Sequence, residues 1–547
     1  MLCISLMLTV VSAATTARDA ITITVHPGTP LEGVGPVSRE MIGINLPVHT
    51  DQRSIEFSAV SGPGTNGVYE ALRDLNIGFI RQWSPAPECC LHSIAMPPHN
   101  PDTDGPWNAW LRRQLAADSP HWAGFDQYIK WLSELGDDVH VMLCLPSFPV
   151  WLGPYRWQDR YGGQLVDTET GAPAEYEDFI TWAGIDKNCI GDIERFEAFR
   201  DRVRLYVELL VEHIRSKPTL RETIRSIEVG NEPDNGGEII QNETRWRMFV
   251  YAMGSKQRRE QGGLLPTDQG LLQQVFLAIR DGLRAADPEG TILLTGPSCA
   301  WAHNQKATAG AFYYLDYFIK GDQGIDGIGA ANLDALTYHH YGHTYRHDEV
   351  IRELQAAYGR PVYLTEYNAT AAGHGMNFMQ TGATTVANVF AQLAQTPNAM
   401  GAAFFKAAGG GFGLVLNRDG VLWRTGAYWT LQALSDEFVG GRPLAWQASP
   451  EMREMVTCLV VATDADPTGY ALLVVNLTDE QQPLAFDLGM QTGNVETRVI
   501  ALPIAETRDD YRNVEQSEIR SDSLQGLSGP SVLPARGVLI LRWQPKA

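Results

Sequence analysis

The stretch Ser226-Ile227-Glu228-Val229-Gly230-Asn231-Glu232-Pro233 joins an apolar, β-rich run to a polar tetrapeptide. Similar apolar runs recur along the chain, and longer segments with helical spacing separate them. Eight runs are found, at residues 42–46, 77–83, 139–145, 224–230, 291–296, 336–341, 361–367 and 401–407. Short apolar strands alternating with helices are typical of a parallel sheet. Eight repeats therefore predict an α/β fold, a closed (β/α)8 TIM barrel.

The pattern of apolar runs and turn residues changes after the barrel region. Residues 441–547 contain strand-like runs separated by Asp, Pro and Gly turns without a helical period, which predicts an accessory β-sandwich. Residues 21–25 alternate with period two, so the segment 14–40 is expected to pair into that sandwich. We therefore assign residues 41–440 to the barrel.

The first thirteen residues, MLCISLMLTVVSA, have an apolar centre and end in small residues, as a secretory signal peptide does. An ordinary N-terminal strand is the alternative. We expect a secreted or periplasmic protein, or a cytoplasmic one if the segment is not a signal. Without Cys3, six cysteines remain with no CxxC spacing, which indicates buried, reduced thiols.

The chain has 547 residues and a formal net charge of −21. An acidic surface repels phosphate backbones and anionic lipids, so neither nucleic acid nor membrane is an expected partner. No apolar run reaches the roughly 20 residues of a membrane-spanning helix. No GxGxxG or GxxxxGK[ST] motif follows a strand, and no cofactor is expected. The oligomeric state stays open.

Two glutamates occupy strand ends. Glu232 directly follows the fourth apolar run, and Glu366 ends the seventh, within Thr365-Glu366-Tyr367-Asn368. Barrel enzymes place their sites at the C-terminal ends of strands, so both carboxylates should face the barrel mouth. Such a pair suits glycoside hydrolysis, because one carboxylic acid protonates the leaving oxygen while the other carboxylate attacks the anomeric carbon. For either glutamate alone, a salt bridge or a helix cap is the alternative.

Gly230-Asn231-Glu232-Pro233 and Thr365-Glu366-Tyr367-Asn368 together resemble the retaining glycoside hydrolases of clan A. The second motif is most similar to family 39, the β-xylosidase and α-iduronidase group. The first is also similar to family 79, the β-glucuronidase and heparanase group, while families 51 and 30 share the layout of barrel plus sandwich. The resemblance implies double displacement through a glycosyl-enzyme, acting on poly- or oligosaccharides from plants or microbes.

The resemblance also implies residue roles. Glu232 would be the acid/base, so it must begin protonated, and Glu366 would be the nucleophile. Asn231 would hydrogen-bond the sugar 2-hydroxyl. Arg81, at the end of the second run, would keep Glu366 ionised, because an opposite charge nearby favours the charged form.

Four further residues are expected to line the site. In the sixth run His339 and Tyr341 are two residues apart and share one face of the strand. By the resemblance, Tyr341 would hydrogen-bond the nucleophile and His339 would line the pocket. Trp83 and Trp151 follow strand ends, where an aromatic ring can stack on a sugar; the alternative is that they only fasten loops.

The eighth run departs from the clan, which usually has a tryptophan there as the floor of the sugar site. Here the run ends Phe404-Phe405-Lys406-Ala407. Trp423 in the following loop is one candidate for the floor, and a different floor is the other. Lys406 would contact a substrate carboxylate or pair with an acidic residue. The sugar therefore stays open among xylosides, glucosides, arabinosides and uronides.

Three other functions compete with a hydrolase of this kind. A metal-dependent barrel hydrolase would use the cluster His339, His340, His343 and His347. Such enzymes usually carry His-x-His on the first strand, which here reads Ile44-Asn45-Leu46, so no metal site is expected. A non-catalytic carbohydrate-binding protein would lack one carboxylate, and both are present. A transglycosylase would use the same two glutamates and stays open.

Overall fold

A computed structural model describes most of the barrel and of the C-terminal domain. The described residues are 20–46, 67–83, 99, 101–145, 155–157, 165–167, 173–174, 193–232, 271–299, 313–322, 325–342, 344–369, 380–408, 412–418, 421–463, 469–500, 521–522 and 531–546. The N-terminal segment 1–13 lies outside them, so the predicted signal peptide stays a prediction.

Eight parallel strands form the central sheet. They are Gly43–Leu46, Phe79–Trp83, His140–Leu145, Ile224–Val229, Leu293–Thr295, Leu336–Tyr341, Val362–Asn368 and Ala399–Phe404, called here the first to eighth barrel strands. The eighth strand pairs with the first. Parallel bridges from Thr295 to Ala335 and from Cys299 to Tyr338 connect the fifth strand to the sixth. The predicted (β/α)8 barrel is therefore confirmed.

One main helix lies between each barrel strand and the next, and the last follows the eighth strand. These eight helices are Val68–Asp74, Ala123–Ser133, Ile193–Ser216, Leu271–Ala286, Tyr313–Lys320, His347–Tyr358, Gln380–Ala394 and Gly426–Phe438. Apolar residues at helical spacing face the sheet, as shown by Phe125, Ile129 and Leu132, which are all buried. Further helices among the described residues are Pro101–Asp104, Trp107–Gln114, Pro218–Thr223, Arg39–Met41, Pro120–Trp122, Ala330–Asn332 and Pro450–Glu454.

In the part of the chain that the structure describes, three small sheets are formed in the connections between the barrel strands and helices. A three-stranded sheet of Tyr155–Trp157, Leu165–Asp167 and Pro173–Ala174 follows the third barrel strand. Two hairpins pair Gly321–Asp322 with Ile325–Asp326, and Val415–Arg418 with Val421–Arg424. The second hairpin comes directly after the eighth barrel strand, on the side where the active site of a barrel enzyme lies.

The second domain is one mixed sheet of nine strands. They are Ile21–Pro30, Arg442–Gln447, Val456–Ala462, Tyr470–Asn476, Gln482–Asp487, Thr492–Ile500, Ser521–Asp522, Ser531–Leu533 and Val538–Pro545. The first of these pairs antiparallel with Arg442–Gln447 and parallel with Gln482–Asp487. The accessory β domain is thus present, with its strands hydrogen-bonded into a single sheet.

Alternate residues of the C-terminal sheet serve two different cores, as the period of two requires. Val460 packs in the core of the sheet domain, whereas Leu459 and Val461 belong to the barrel core. The helix Gln380–Ala394 is buried along its whole length. Thr457 on the sheet donates a hydrogen bond of 2.8 Å to Asn388 on that helix. The two domains therefore pack closely together.

The N-terminal end of the barrel interior is filled by an apolar layer. Its buried members are Phe79, Met142, Ala335, Tyr363 and Ala403. The Phe79 and Tyr363 rings stack with their centroids 5.3 Å apart. This layer closes one end of the barrel, so an open site is restricted to the other end.

Cys144, Cys299 and Cys458 are buried thiols that form no disulfide, as predicted. The remaining cysteines at positions 3, 89, 90 and 189 lie outside the described residues.

Within the described residues, no helix has both the length and the apolar character needed to cross a membrane.

Candidate active site

Arg81 is the centre of a polar cluster at the C-terminal end of the barrel. Its Nε donates to the Glu228 carboxylate, and its Nη1 donates to Glu366 Oε1 at 2.6 Å. Its Nη2 donates to Asn231 Oδ1 and to Ser298 Oγ, both at 2.9 Å. All five side chains are buried. The guanidinium has five N–H donors in a fixed plane, so one arginine can orient groups from several strands.

Glu366 is held by hydrogen bonds on both carboxylate oxygens. Its side chain is 3% exposed. The Tyr341 hydroxyl donates to Oε2 at 2.7 Å, while Arg81 donates to Oε1. Burial raises the pKa of Glu366 above its ordinary value, although the Arg81 guanidinium beside it acts to lower that pKa. The sequence predicts that Arg81 keeps Glu366 ionised. The arginine does lower the pKa of Glu366, but burial raises that pKa by more, so the net shift is upward.

Glu232 has an unusual backbone conformation. Its φ is +44°, in the left-handed region that favours glycine, and Gly230 just before it has φ +79°. The Glu232 N–H donates to the Ser298 carbonyl at 2.7 Å, which holds this turn. The side chain is 17% exposed, and its Oε1 lies 2.8 Å from His339 Nδ1. Strained conformations of this kind concentrate at functional sites.

The two glutamates face each other beside His339. One ligand atom each from Glu232, His339 and Glu366 lies within 4.8 Å of the other two, and this is the candidate metal-binding group among the described residues. The donor set fits a cation poorly, because the Arg81 guanidinium and the Tyr341 hydroxyl already bind Glu366. The three side chains thus form a compact group of two carboxyls and an imidazole at the open end of the barrel.

Of the other histidines in the alternative metal cluster, His340 and His347 make contacts away from His339. His340 stacks on Tyr345 with ring centroids 3.4 Å apart. His347 Nδ1 lies 2.9 Å from the Tyr338 hydroxyl. Neighbouring residues of a strand point to opposite sides, which separates His340 from His339. His343 lies outside the described residues.

Two phenylalanines lie where the clan usually has a tryptophan. The Phe405 and Phe412 rings are half-buried, and their centroids lie 6.2 and 6.3 Å from that of Tyr341. Asn368 Nδ2 donates to both phenylalanine carbonyls, and so ties the loop to the seventh strand. Lys406 next to them is buried. Among the described residues, the aromatic rings recorded against Tyr341 are therefore those of phenylalanines.

Of the three tryptophans considered for the sugar site, only Trp423 has a described side chain. Trp423 is half-buried on the hairpin strand Val421–Arg424. Trp83 ends the second barrel strand, but its side chain and all of Trp151 lie outside the described residues. Sugar stacking by Trp83 and Trp151 therefore stays a prediction.

The sequence analysis missed Glu228 and Ser298. Burial alone would raise the pKa of Glu228, but the charge of Arg81 and the hydrogen bonds from Arg81 and Ser298 bring it below its ordinary value. An acidic residue inside an apolar strand was a usable signal for Glu228, because a buried carboxylate requires a partner. Ser298 follows the short fifth strand and belongs to no motif.

Cys144 also contacts Arg81, with Sγ at 3.2 Å from Nη2. Burial raises the pKa of this thiol well above its ordinary value. A thiol that resists ionisation is a poor nucleophile. Cys144 is therefore a packing residue beneath the cluster.

A barrel with a carboxyl pair at its C-terminal rim is an architecture suited to glycoside hydrolysis. Residues 279–429 match the family model described as "Glycosyl hydrolase catalytic core". The matched region runs from before the fifth barrel strand to the last helix, and it includes Ser298, His339, Tyr341 and Glu366. The match supports a glycoside hydrolase catalytic core in this chain and agrees with the resemblance to clan A.

The barrel and the second domain together resemble solved glycosidase structures. A glycoside hydrolase family 51 arabinofuranosidase from Xanthomonas axonopodis pv. citri is 13% identical, with 96% of this chain and 100% of that chain covered at a TM-score of 0.53. A family 44 xyloglucanase from Paenibacillus polymyxa is 13% identical, with 96% and 99% covered at 0.52.

A glucosidase from Croceicoccus marinus is also 13% identical, with 97% of this chain and 100% of that chain covered at a TM-score of 0.51. At this level of identity the likeness concerns the fold. No curated protein matches the chain in sequence.

Proposed function

We propose that this protein is a retaining glycoside hydrolase with Glu366 as nucleophile and Glu232 as acid/base. The observation that carries the proposal is the approach of the two carboxyl groups, since oxygen atoms of both lie within 4.8 Å of each other. Retaining enzymes separate these groups by about 5–5.5 Å, whereas inverting enzymes leave roughly 6.5–9.5 Å for a water molecule. The short separation favours direct attack by a carboxylate.

The different surroundings of the two glutamates support their different roles. Glu366 is 3% exposed and fixed by Arg81 and Tyr341, as an attacking group must be. Glu232 is 17% exposed, so it has room to meet the leaving group and later a water molecule. In this mechanism the Glu232 proton passes to the leaving oxygen as Glu366 bonds to the anomeric carbon. Water then displaces Glu366 and returns a proton to Glu232.

We further propose a carbohydrate substrate of the β-xyloside or β-glycoside type, in line with the resemblance to family 39. The half-buried rings of Phe405 and Phe412 beside Tyr341 offer an apolar surface for a sugar face. Asn231 is 7% exposed, and its amide is oriented by Arg81 beside the nucleophile, where a sugar 2-hydroxyl would lie. A screen of aryl xylosides, glucosides, arabinosides and uronides, alongside xylan, β-glucan and arabinan, identifies the sugar.

The stereochemistry of the product tests the mechanism. Proton NMR of the first sugar released from an aryl glycoside should show the anomeric configuration of the substrate. The spectrum has to be recorded before mutarotation equilibrates the two anomers. Initial release of the opposite anomer would contradict a nucleophilic Glu366.

We also propose that the protein is exported, on the basis of the apolar N-terminal residues that end in Ser12-Ala13-Ala14. N-terminal sequencing of the protein recovered from its natural host should show a chain that begins near Ala14. A chain that retains Met1 would contradict export through a cleaved signal.

A further inference from the structure

Ser298 contacts three partners that together determine how its single hydroxyl hydrogen is used. Its Oγ lies 2.9 Å from Arg81 Nη2, 2.8 Å from Glu228 Oε1 and 3.0 Å from His339 Nε2. Ser298 is fully buried, as are Arg81 and Glu228, and His339 is 1% exposed. In such a setting each polar atom depends on its protein partners for hydrogen bonds.

The directions of these three hydrogen bonds follow from the chemistry of the groups. Arg81 can only donate, so Ser298 Oγ accepts from it. An ionised Glu228 can only accept, so it takes the hydroxyl hydrogen of Ser298. Ser298 then has no hydrogen left for His339 and can only accept from it. His339 Nε2 must therefore carry a hydrogen.

The hydrogen on Nε2 decides what His339 offers on its other side. In a neutral imidazole with hydrogen on Nε2, Nδ1 carries a lone pair. Glu232 Oε1 lies 2.8 Å from that atom and Glu366 Oε2 lies 3.4 Å from it. A lone pair at 2.8 Å repels a carboxylate but accepts a hydrogen bond from a carboxylic acid. The opposite tautomer would donate to Glu232 and stabilise its anion.

On this basis, and resting on the proposed function, we infer that His339 is a neutral imidazole, not an imidazolium, and that Ser298 is a positioning residue that fixes its Nε2–H tautomer and thereby favours the acid form of Glu232. Glu228 and Arg81 act behind Ser298 by orienting its hydroxyl. Among the described residues, the charged or titratable groups that face His339 are thus Glu232 and Glu366 at Nδ1, with Tyr341 on Glu366, and Glu228 and Arg81 beyond Nε2.

The proton inventory of the reaction is consistent with this arrangement. Before reaction, the pair Glu232–His339 holds one proton between Oε1 and Nδ1. That proton passes to the leaving oxygen as the glycosidic bond breaks and Glu366 forms the glycosyl ester. Glu232 is then a carboxylate beside the Nδ1 lone pair, which strengthens it as a base. It recovers a proton from the water molecule that cleaves the ester, while Nε2 keeps its hydrogen throughout.

The tautomer can be measured directly by NMR. In protein labelled with ¹⁵N-histidine, the nitrogen shifts and couplings of His339 distinguish hydrogen on Nε2 from hydrogen on Nδ1. The His339→Asn variant assigns the signal among the 13 histidines. We expect the Nε2–H form in the wild type at neutral pH and a substantial Nδ1–H population in Ser298→Ala. A wild type with Nδ1–H, or an unchanged tautomer in Ser298→Ala, would overturn the inference.

The pH dependence of kcat/KM separates positioning from a general loss of structure. In Ser298→Ala the basic limb of the profile should move to lower pH by about one unit, because one hydrogen-bonded contact no longer favours the acid form. Ser298→Thr keeps the hydroxyl, so its basic limb should lie at the wild-type pH. Thr337→Val is the matched control, since it removes a buried hydroxyl two residues before His339 on the same strand. Its profile should equal that of the wild type.

Ser298→Ala could instead lower kcat/KM equally at all pH values and leave the basic limb at its wild-type pH. That result would contradict the positioning role. The NMR measurement needs no substrate, so it tests the tautomer even if the substrate class is wrong. Conversely, absence of any glycoside hydrolysis by the wild type would overturn the proposed function.

Discussion

The two ends of the barrel interior differ in chemistry although the same strands line both. At the C-terminal end Arg81 binds two buried carboxylates, Glu228 and Glu366. At the N-terminal end Phe79 and Tyr363 stack within an apolar layer. Phe79 and Arg81 are two residues apart on the second strand, so both side chains point inward at successive levels. A step of two residues thus changes the interior from apolar to charged.

The apolar end also contains ionisable side chains, and the buried His140 ring lies 5.2 and 5.9 Å from the Phe79 and Tyr363 rings of the layer. His140 Nδ1 is 3.2 Å from Glu40, and its Nε2 is 2.7 Å from Ser226. Tyr363 donates a hydrogen bond to Glu40, whose side chain is 19% exposed. Ionisable groups alone therefore do not define the site. A reactive site requires carboxylates that face each other and an open end of the barrel.

The largest effect is expected from loss of the nucleophile at the charged end. Glu366→Ala removes the attacking atom, so no glycosyl-enzyme forms and turnover should nearly vanish for every substrate. The loss should exceed the roughly 10²–10⁴-fold cost of losing proton transfer alone. Steady-state assays with several aryl glycosides measure it, and circular dichroism shows that the variant is folded. Retention of most activity would assign nucleophilic attack elsewhere.

Loss of the acid/base should be smaller and should depend on the leaving group. Glu232→Ala should reduce turnover of natural glycosides by about 10²–10⁴-fold. An aryl glycoside with a good leaving group needs little protonation, so its first step should survive and the glycosyl-enzyme should accumulate as a burst. Azide should restore turnover and give a glycosyl azide of unchanged configuration.

Equal impairment on all leaving groups, without a response to azide, would exclude the acid/base role of Glu232. Asp234 and Glu238, which follow Glu232 in the sequence and lie outside the described residues, would then be the next carboxylates to replace.

A change at the apolar end should affect stability rather than chemistry. Phe79→Ala leaves a cavity in the apolar layer and should lower the free energy of unfolding by about 3–5 kcal/mol. Urea unfolding followed by fluorescence measures this loss, with Phe79→Leu as a milder control. The kcat of the folded variant should stay near that of the wild type. A large loss of kcat with an intact fold would show that the two ends are coupled.

The two carboxylates on Arg81 should give stability profiles of opposite slope against pH. The pKa of Glu366 is raised by burial, so its contribution is fully present below the unfolded pKa and is lost as pH rises through the folded pKa. Burial would raise the pKa of Glu228, but the charge and hydrogen bonds of Arg81 lower it overall, so its contribution is present above the unfolded pKa and is lost as pH falls through the folded pKa.

Unfolding free energies of the wild type, Glu366→Gln and Glu228→Gln measure these slopes. The wild type should lose stability relative to Glu366→Gln as pH rises above the ordinary glutamate value of 4.5. It should lose its advantage over Glu228→Gln as pH falls below that value. Slopes of the same sign would mean that folding shifts the pKa values of both carboxylates in the same direction.

The smallest effect is expected from metal removal. If both catalytic roles belong to carboxylates, exhaustive chelation should leave kcat/KM unchanged within error. Dialysis against EDTA followed by assay with and without added zinc measures this. Abolition by the chelator with rescue by zinc would make Glu232, His339 and Glu366 metal ligands.

The sequence predicted the fold well because the signals for a barrel are local. Each strand appears as a short apolar run, and each of the helices Ile193–Ser216 and Leu271–Ala286 as a longer periodic segment. The positions of Glu232 and Glu366 followed from the rule that strand ends share one rim. The family resemblance added Arg81, Asn231, His339 and Tyr341, which the structure brings together around those two carboxylates.

The sequence by itself thus determined the barrel, the accessory β domain and the two facing glutamates, because periodicity and strand-end position can be read from neighbouring residues. Only the tertiary structure decided the contacts of Ser298, which reaches Arg81 across 217 positions and Glu228 across 70. It also decided the opposite pKa shifts of Glu228 and Glu366. Those shifts are sums of burial and charge from several strands, and no local stretch of sequence contains such a sum.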